Sequence, residues 1–183
     1  MAELSFTQEE LDEIERLIAK FPTAKAATLR VLWLAQNKYG HVEPEVQNLV
    51  AETLEVPKSH VHGVASFYTQ YYKEEKGKFV LDVCTNISCQ LRGGYEILHY
   101  LEEQLGIEAG ETTDDGMFTI QEVECLGACG YAPMLQVTNG VYVNNLTKEK
   151  VDTLLENLKS GNMPEFESMA MPELEKRNQA ASK

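Results

Sequence analysis

Residues 78–94 read KFVLDVCTNISCQLRGG, and the change of periodicity inside this stretch decides the fold. Upstream of it, apolar residues recur at three- and four-residue spacing. Lys78 to Cys84, by contrast, is a short β-branched run that suits a strand buried on both faces. Cys84 falls where the strand ends and a loop begins, and TNIS separates it from Cys89. From about Gly93 to Leu105 helical spacing returns, with Ile97, Leu98, Leu101 and Leu105 on one side and Gly106 to end it.

Downstream, GETTDDG is a turn, and Phe118 to Glu124 alternates as a strand with Phe118 and Ile120 inward. The strand runs straight into Cys125, which LGA separates from Cys129. Met134 to Thr138 and Val141 to Val143 flank Asn139-Gly140, a strong hairpin signal. Thr147 caps a last helix whose apolar stripe is Val151, Leu154, Leu155 and Leu158. The order strand, helix, strand, hairpin partner, helix predicts a small α/β layer in which helices cover a mixed sheet, compatible with a thioredoxin-like arrangement.

Upstream, residues 1 to 72 read as helical. Thr7 and Glu10 form a capping box before Leu11, Ile14, Leu17 and Ile18, and Pro22 ends the helix. A second helix is expected from about Lys25 to Tyr39 and stops at Gly40. A third starts at Pro44 with Val46, Leu49, Val50 and Leu54 inward, and a fourth covers about Lys58 to Tyr68. The expected fold class is therefore α+β: a helical bundle over 1–76, an α/β domain over 77–160 and a polar tail over 161–183.

The last two helices space their apolar residues as a helix-turn-helix does. A recognition helix, however, brings several Arg, Lys, Asn or Gln side chains to base edges, and this one offers Lys58 and two histidines. Charge argues the same way. Sixteen Lys and Arg face twenty-nine Asp and Glu, for a net charge of −13, and Gly93 to Thr147 holds nine carboxylates and no Lys or Arg. Such a surface repels phosphate backbones, so nucleic acid and anionic lipid are excluded as expected partners.

At 183 residues the chain can bury a core without disulfide staples. Its N-terminus, MAELSFTQEELDEIERL, shows no export signal or transit peptide, and no stretch approaches the roughly 18 apolar residues of a membrane span. The expectation is a soluble chain in a reducing cytosol with no direct membrane insertion. In that compartment paired cysteines point to metal or redox chemistry rather than disulfides.

Two parallel strands ending at one edge would bring the loops of Cys84, Cys89, Cys125 and Cys129 together. Zinc knuckles use C-x2-C, and a thioredoxin-type dithiol needs C-x-x-C at a helix start; neither spacing occurs. A 2Fe-2S cluster needs two thiolates on each of two irons, which longer intra-pair loops satisfy, although spacing alone also admits a four-iron cluster. Gly93, Gly94, Gly127 and Gly130 lie close in sequence to a thiol, where they both make turns and let backbone N–H groups approach sulfur. A 2Fe-2S centre carries a formal charge of about −2 that becomes about −3 on reduction. The surrounding carboxylates resist that added electron, so a low reduction potential is expected.

These residues resemble a known family, the small 2Fe-2S subunits of NADH:quinone oxidoreductase, respiratory complex I. The resemblance rests on Cys84-x4-Cys89 with glycines soon after, on ECLGACGYAP from Glu124 to Pro133, and on VHGVASFYTQYY from Val61. It covers about Thr7 to Leu158. It implies a helical bundle joined to a thioredoxin-like ferredoxin domain, with the four cysteines as ligands of one 2Fe-2S cluster. It also implies docking on a flavoprotein subunit that binds FMN and NADH, among the other proteins of the peripheral arm, at the cytoplasmic face of a bacterial plasma membrane. Similar subunits occur in NAD-linked hydrogenases and formate dehydrogenases, and a free-standing ferredoxin is the remaining alternative.

No P-loop, nucleophile motif or dinucleotide fingerprint appears, so the chain alone is not expected to oxidise NADH. His41, His60, His62 and His99 suit surface or capping roles. Phe67, Tyr68, Tyr71 and Tyr72 are expected chiefly to pack, because only alternate members of such a run can be buried together.

Overall fold

The computed structural model describes residues 4–138 and 140–164, which fall into two compact units, Met1–Lys76 and Gly77–Lys183. In the first, α1 (Gln8–Ile18) begins at the expected capping box. The Thr7 N–H donates to the Glu10 carboxylate at 2.7 Å, and the Thr7 hydroxyl accepts from the Glu10 N–H at 3.3 Å.

The expected second helix starts differently. A 3-10 turn, Ala24–Ala27, comes first and α2 (Thr28–Tyr39) follows it. The Thr28 hydroxyl donates back to the Lys25 carbonyl at 2.8 Å, which holds the tighter first turn. α3 (Pro44–Thr53) and α4 (Lys58–Phe67) complete the unit, with Ile14, Val31, Leu32, Val46, Val50 and Val61 in its core.

Buried glutamines tie its loops. The Gln36 side chain donates to the Gln70 carbonyl at 3.0 Å and accepts from the Tyr72 N–H at 2.7 Å, while Gln47 donates to the Val42 carbonyl at 2.7 Å. His60 hydrogen-bonds the Thr28 hydroxyl and His62 the Gln47 side chain. The aromatic run does not alternate as expected: the adjacent Tyr71 and Tyr72 are both buried, because the chain has left α4 for an irregular turn. The Tyr71 hydroxyl donates to the Leu29 carbonyl, whereas Phe67 stays 79% exposed.

The second unit carries β1 (Phe79–Cys84), α5 (Ile87–Gln90), α6 (Gly94–Leu105), β2 (Phe118–Val123), β3 (Leu135–Val137), β4 (Val141–Val143) and α7 (Lys148–Lys159). Its four-stranded sheet has the order β2-β1-β3-β4. β1 and β2 are parallel from Phe79↔Phe118 to Cys84↔Val123, and the β1/β3 and β3/β4 pairs are antiparallel. All six residues of β1 are buried, as a central strand covered on both faces requires.

Leu81, Leu98, Leu101, Ile120, Leu135, Val151 and Leu158 form the core of this unit. The Thr147 hydroxyl caps α7 by accepting from the Lys150 N–H at 3.3 Å. The four-residue α5 was not expected, since a single helical turn around Cys89 leaves no apolar periodicity to detect. Asn139 of the hairpin turn and positions 165–183 of the expected tail lie outside the described residues.

Candidate metal centre

The parallel register of β1 and β2 delivers two loops to one sheet edge. Cys84 is the last residue of β1, and Cys89 lies in α5 immediately after it. Cys125 follows the end of β2, and Cys129 opens a 3-10 turn, Cys129–Tyr131. All four are free thiols: Cys84 and Cys89 are buried, Cys125 and Cys129 exposed.

Contacts link the two pairs. The Cys84 thiol donates to the Glu124 carbonyl at 3.7 Å, which bridges the end of one strand to the residue before Cys125. Gly127, at a φ of +77°, donates its N–H to the Cys125 sulfur at 3.4 Å. Burial pushes the Cys89 thiol up to about 12. A hydrogen bond and charge repulsion from Cys84 add to the rise, with a smaller push from Cys129, and the Met134 N–H opposes it. Without metal, Cys89 is therefore a neutral thiol, and a bound cation has to displace its proton.

Ala128, Ala132 and Met134 are buried with Cys84 and Cys89, and Leu126 and Tyr142 pack against them. The Tyr142 hydroxyl donates to the Leu126 carbonyl at 2.8 Å, inside the loop between Cys125 and Cys129. Burial, then the nearby Cys125 and Cys84, raise that phenol above its ordinary value. Arg92 reaches across from the first loop, its Nε–H donating to the Ala132 carbonyl at 2.7 Å. Among the described residues no group of three His, Cys, Asp or Glu side chains is gathered for a metal ion. The donors present are two thiols on each of two adjoining loops, the chemistry a two-iron centre asks for.

Tyr142, Met134 and Arg92 were missed by sequence reasoning. Tyr142 had a faint signal: it alternates with Val141 and Val143 and so must face the opposite side of the hairpin. Arg92 had another, as the last cation before the cation-free stretch.

Similarity to known proteins agrees with this arrangement. The thioredoxin-like 2Fe-2S ferredoxin family matches residues 14–159. The chain is 42% identical over 149 residues to an NADH-quinone oxidoreductase subunit of Rhizobium meliloti, covering 81% of this chain and 88% of that one. It is 39% identical over 160 residues to NADH-quinone oxidoreductase subunit 2 of Thermus thermophilus, covering 86% and 88%. It is 37% identical over 143 residues to NADP-reducing hydrogenase subunit HndA of Solidesulfovibrio fructosivorans, covering 78% and 83%. A solved NAD+-reducing NiFe-hydrogenase in its air-oxidized state superposes with a TM-score of 0.60 at 17% identity, over 72% of this chain and 23% of that one, a likeness of fold. With two thiol-bearing loops side by side and a family match spanning both units, the chain belongs to the thioredoxin-like 2Fe-2S ferredoxins.

Proposed function

We propose that this chain is the electron-transfer subunit of an NADH:quinone oxidoreductase. One 2Fe-2S cluster sits on Cys84, Cys89, Cys125 and Cys129 and exchanges single electrons with the FMN of an NADH-binding flavoprotein subunit. The observation that carries this is the parallel pairing that ends at Cys84↔Val123, because it sets both thiol loops at one edge. The names of the relatives support the host complex.

The residues present fit the group: four thiols, N–H groups of Met134 and Gly127 toward sulfur, and an apolar floor of Ala128, Ala132 and Met134. A bound cluster supplies a reversible one-electron store. The chain does the rest. Its apolar floor excludes water from the Cys84 and Cys89 side, while Cys125 and Cys129 stay at the surface, where a redox partner approaches.

Residues 1–76 then serve as the helical bundle, 77–160 as the cluster domain and 161–183 as a tail. FMN and NADH belong to the partner, and the chain works at the cytoplasmic face through the peripheral arm. Among the described residues no helix is long and apolar enough to cross a membrane.

The hydrogenase relative favours a second host, an NAD(P)-linked hydrogenase, in which the same subunit would serve the same flavin chemistry. Affinity purification of the tagged chain from its native cells decides between them. Recovery of an FMN-containing subunit with NADH:quinone reductase activity is the expected result. Recovery of hydrogenase activity favours the second host, and a coloured chain with no flavoprotein contradicts both.

A further inference from the structure

Arg92 is the sole Lys or Arg between Lys78 and Lys148. It lies three residues past Cys89, and its backbone N–H donates to the Cys89 carbonyl at 3.1 Å. Its side chain crosses to the other loop, where Nε–H donates to the carbonyl of Ala132, three residues past Cys129. One side chain thus ties the segment after the first thiol pair to the segment after the second.

Arg92 is an exposed residue whose bond to Ala132 is part-buried, and among the described residues no carboxylate forms an ion pair with it. The bond to Ala132 uses one of five N–H donors and leaves the delocalised charge in place. Between Lys78 and Lys148 this one cation stands against ten carboxylates, so its anchored charge changes the local potential more than it would in an evenly mixed stretch.

We propose that Arg92 is a positioning residue for the electron carrier: its anchored charge raises the reduction potential of the 2Fe-2S centre, and its bond to Ala132 ties the two ligand loops. The inference rests on the function proposed above. A fixed positive charge stabilises the centre at about −3 more than at about −2, so it favours the reduced form.

The test uses the full chain with its cluster, as wild type, Arg92→Gln and Arg92→Lys, in a redox titration followed by the EPR signal of the reduced centre at low and high salt. For Arg92→Gln the one-electron reduction equilibrium is expected to fall three- to tenfold, roughly, tenfold being about 59 mV. Arg92→Lys keeps the charge and falls less, and both differences shrink as salt screens the exposed site. An unchanged potential in Arg92→Gln overturns the charge role, as do equal, salt-independent drops in both variants.

A second measurement needs no cluster. Hydrogen exchange of the Tyr131 N–H, bonded to the Ala128 carbonyl at 2.9 Å, should quicken several-fold in both cluster-free variants. Unchanged exchange overturns the tie. The wild-type signal alone checks the cluster assignment, so that assignment and the role of Arg92 fail separately.

Discussion

Gly94 opens α6 in backbone contact with Cys89: a methyl group on its α-carbon would stand 2.9 Å from the Cys89 carbonyl carbon and oxygen. The same methyl would stand 3.0 Å from the Cys84 carbonyl oxygen, so one α-carbon without a side chain lets the backbone of both members of the first thiol pair close in on it. Backbone cannot yield as a flexible side chain can. Gly94→Ala is expected to cost about 1–3 kcal/mol and to lower the iron retained per chain. Thermal unfolding and iron analysis of the purified variant check this. Full iron with unchanged stability would show that the close approach is relaxed in solution.

Burial separates the four thiols in the cluster-free chain. Cys84 and Cys89 are 3% and 1% exposed, whereas Cys125 and Cys129 are open to solvent. Brief alkylation of the native, metal-free chain is expected to label Cys125 and Cys129 at least tenfold faster, roughly, than the buried pair. Peptide mapping by mass spectrometry reads the order directly, and equal labelling would mean that the β1 edge opens without its cluster.

Tyr142 braces the second loop through its hydroxyl bond to Leu126. Tyr142→Phe keeps the ring against the thiols and removes only that bond, for an expected loss of about 0.5–1.5 kcal/mol. Because the bond lies between Cys125 and Cys129, the variant should also surrender iron to a chelator several-fold faster than wild type. Bleaching of the visible absorbance under chelator measures this rate.

The placement of the thiols was legible because it follows from strand ends. KFVLDVC and the alternation after Phe118 each ran into a cysteine, and the parallel pairing of β1 with β2 then had to bring the loops together. The glycine pair at the start of α6 has two separate causes: Gly94 lies against the Cys84 and Cys89 carbonyls, whereas Gly93 takes a left-handed φ of +92°. Arg92 and Tyr142 were not legible as site residues. Their partners are backbone carbonyls 40 and 16 residues away, and no local pattern encodes such a pair. The 3-10 turn before α2 was hidden as well, because the same alanines suit either helix.

The first helix has its own acid dependence. Burial raises the Glu10 carboxyl, but the Lys38 ammonium and the Thr7 hydrogen bonds outweigh it and hold the group below its ordinary 4.5. A folded-state value below the unfolded one stabilises fully above pH 4.5 and fades as pH falls through the folded value. The pair is partly exposed, so its contribution stays under about 1 kcal/mol. Unfolding free energies of wild type and Glu10→Gln should therefore differ at neutral pH and converge in acid. A difference that persists unchanged at low pH would assign the effect to helix capping rather than to charge.

What the purified chain holds tests the cluster on Cys84, Cys89, Cys125 and Cys129 most directly. Iron and acid-labile sulfide analysis with EPR of the reduced protein is expected to give about two irons, about two sulfides and a single unpaired spin per chain, all lost when Cys84 is replaced by Ala. A colourless chain with one zinc and no spin, or an EPR-active centre that survives Cys84→Ala intact, would contradict it.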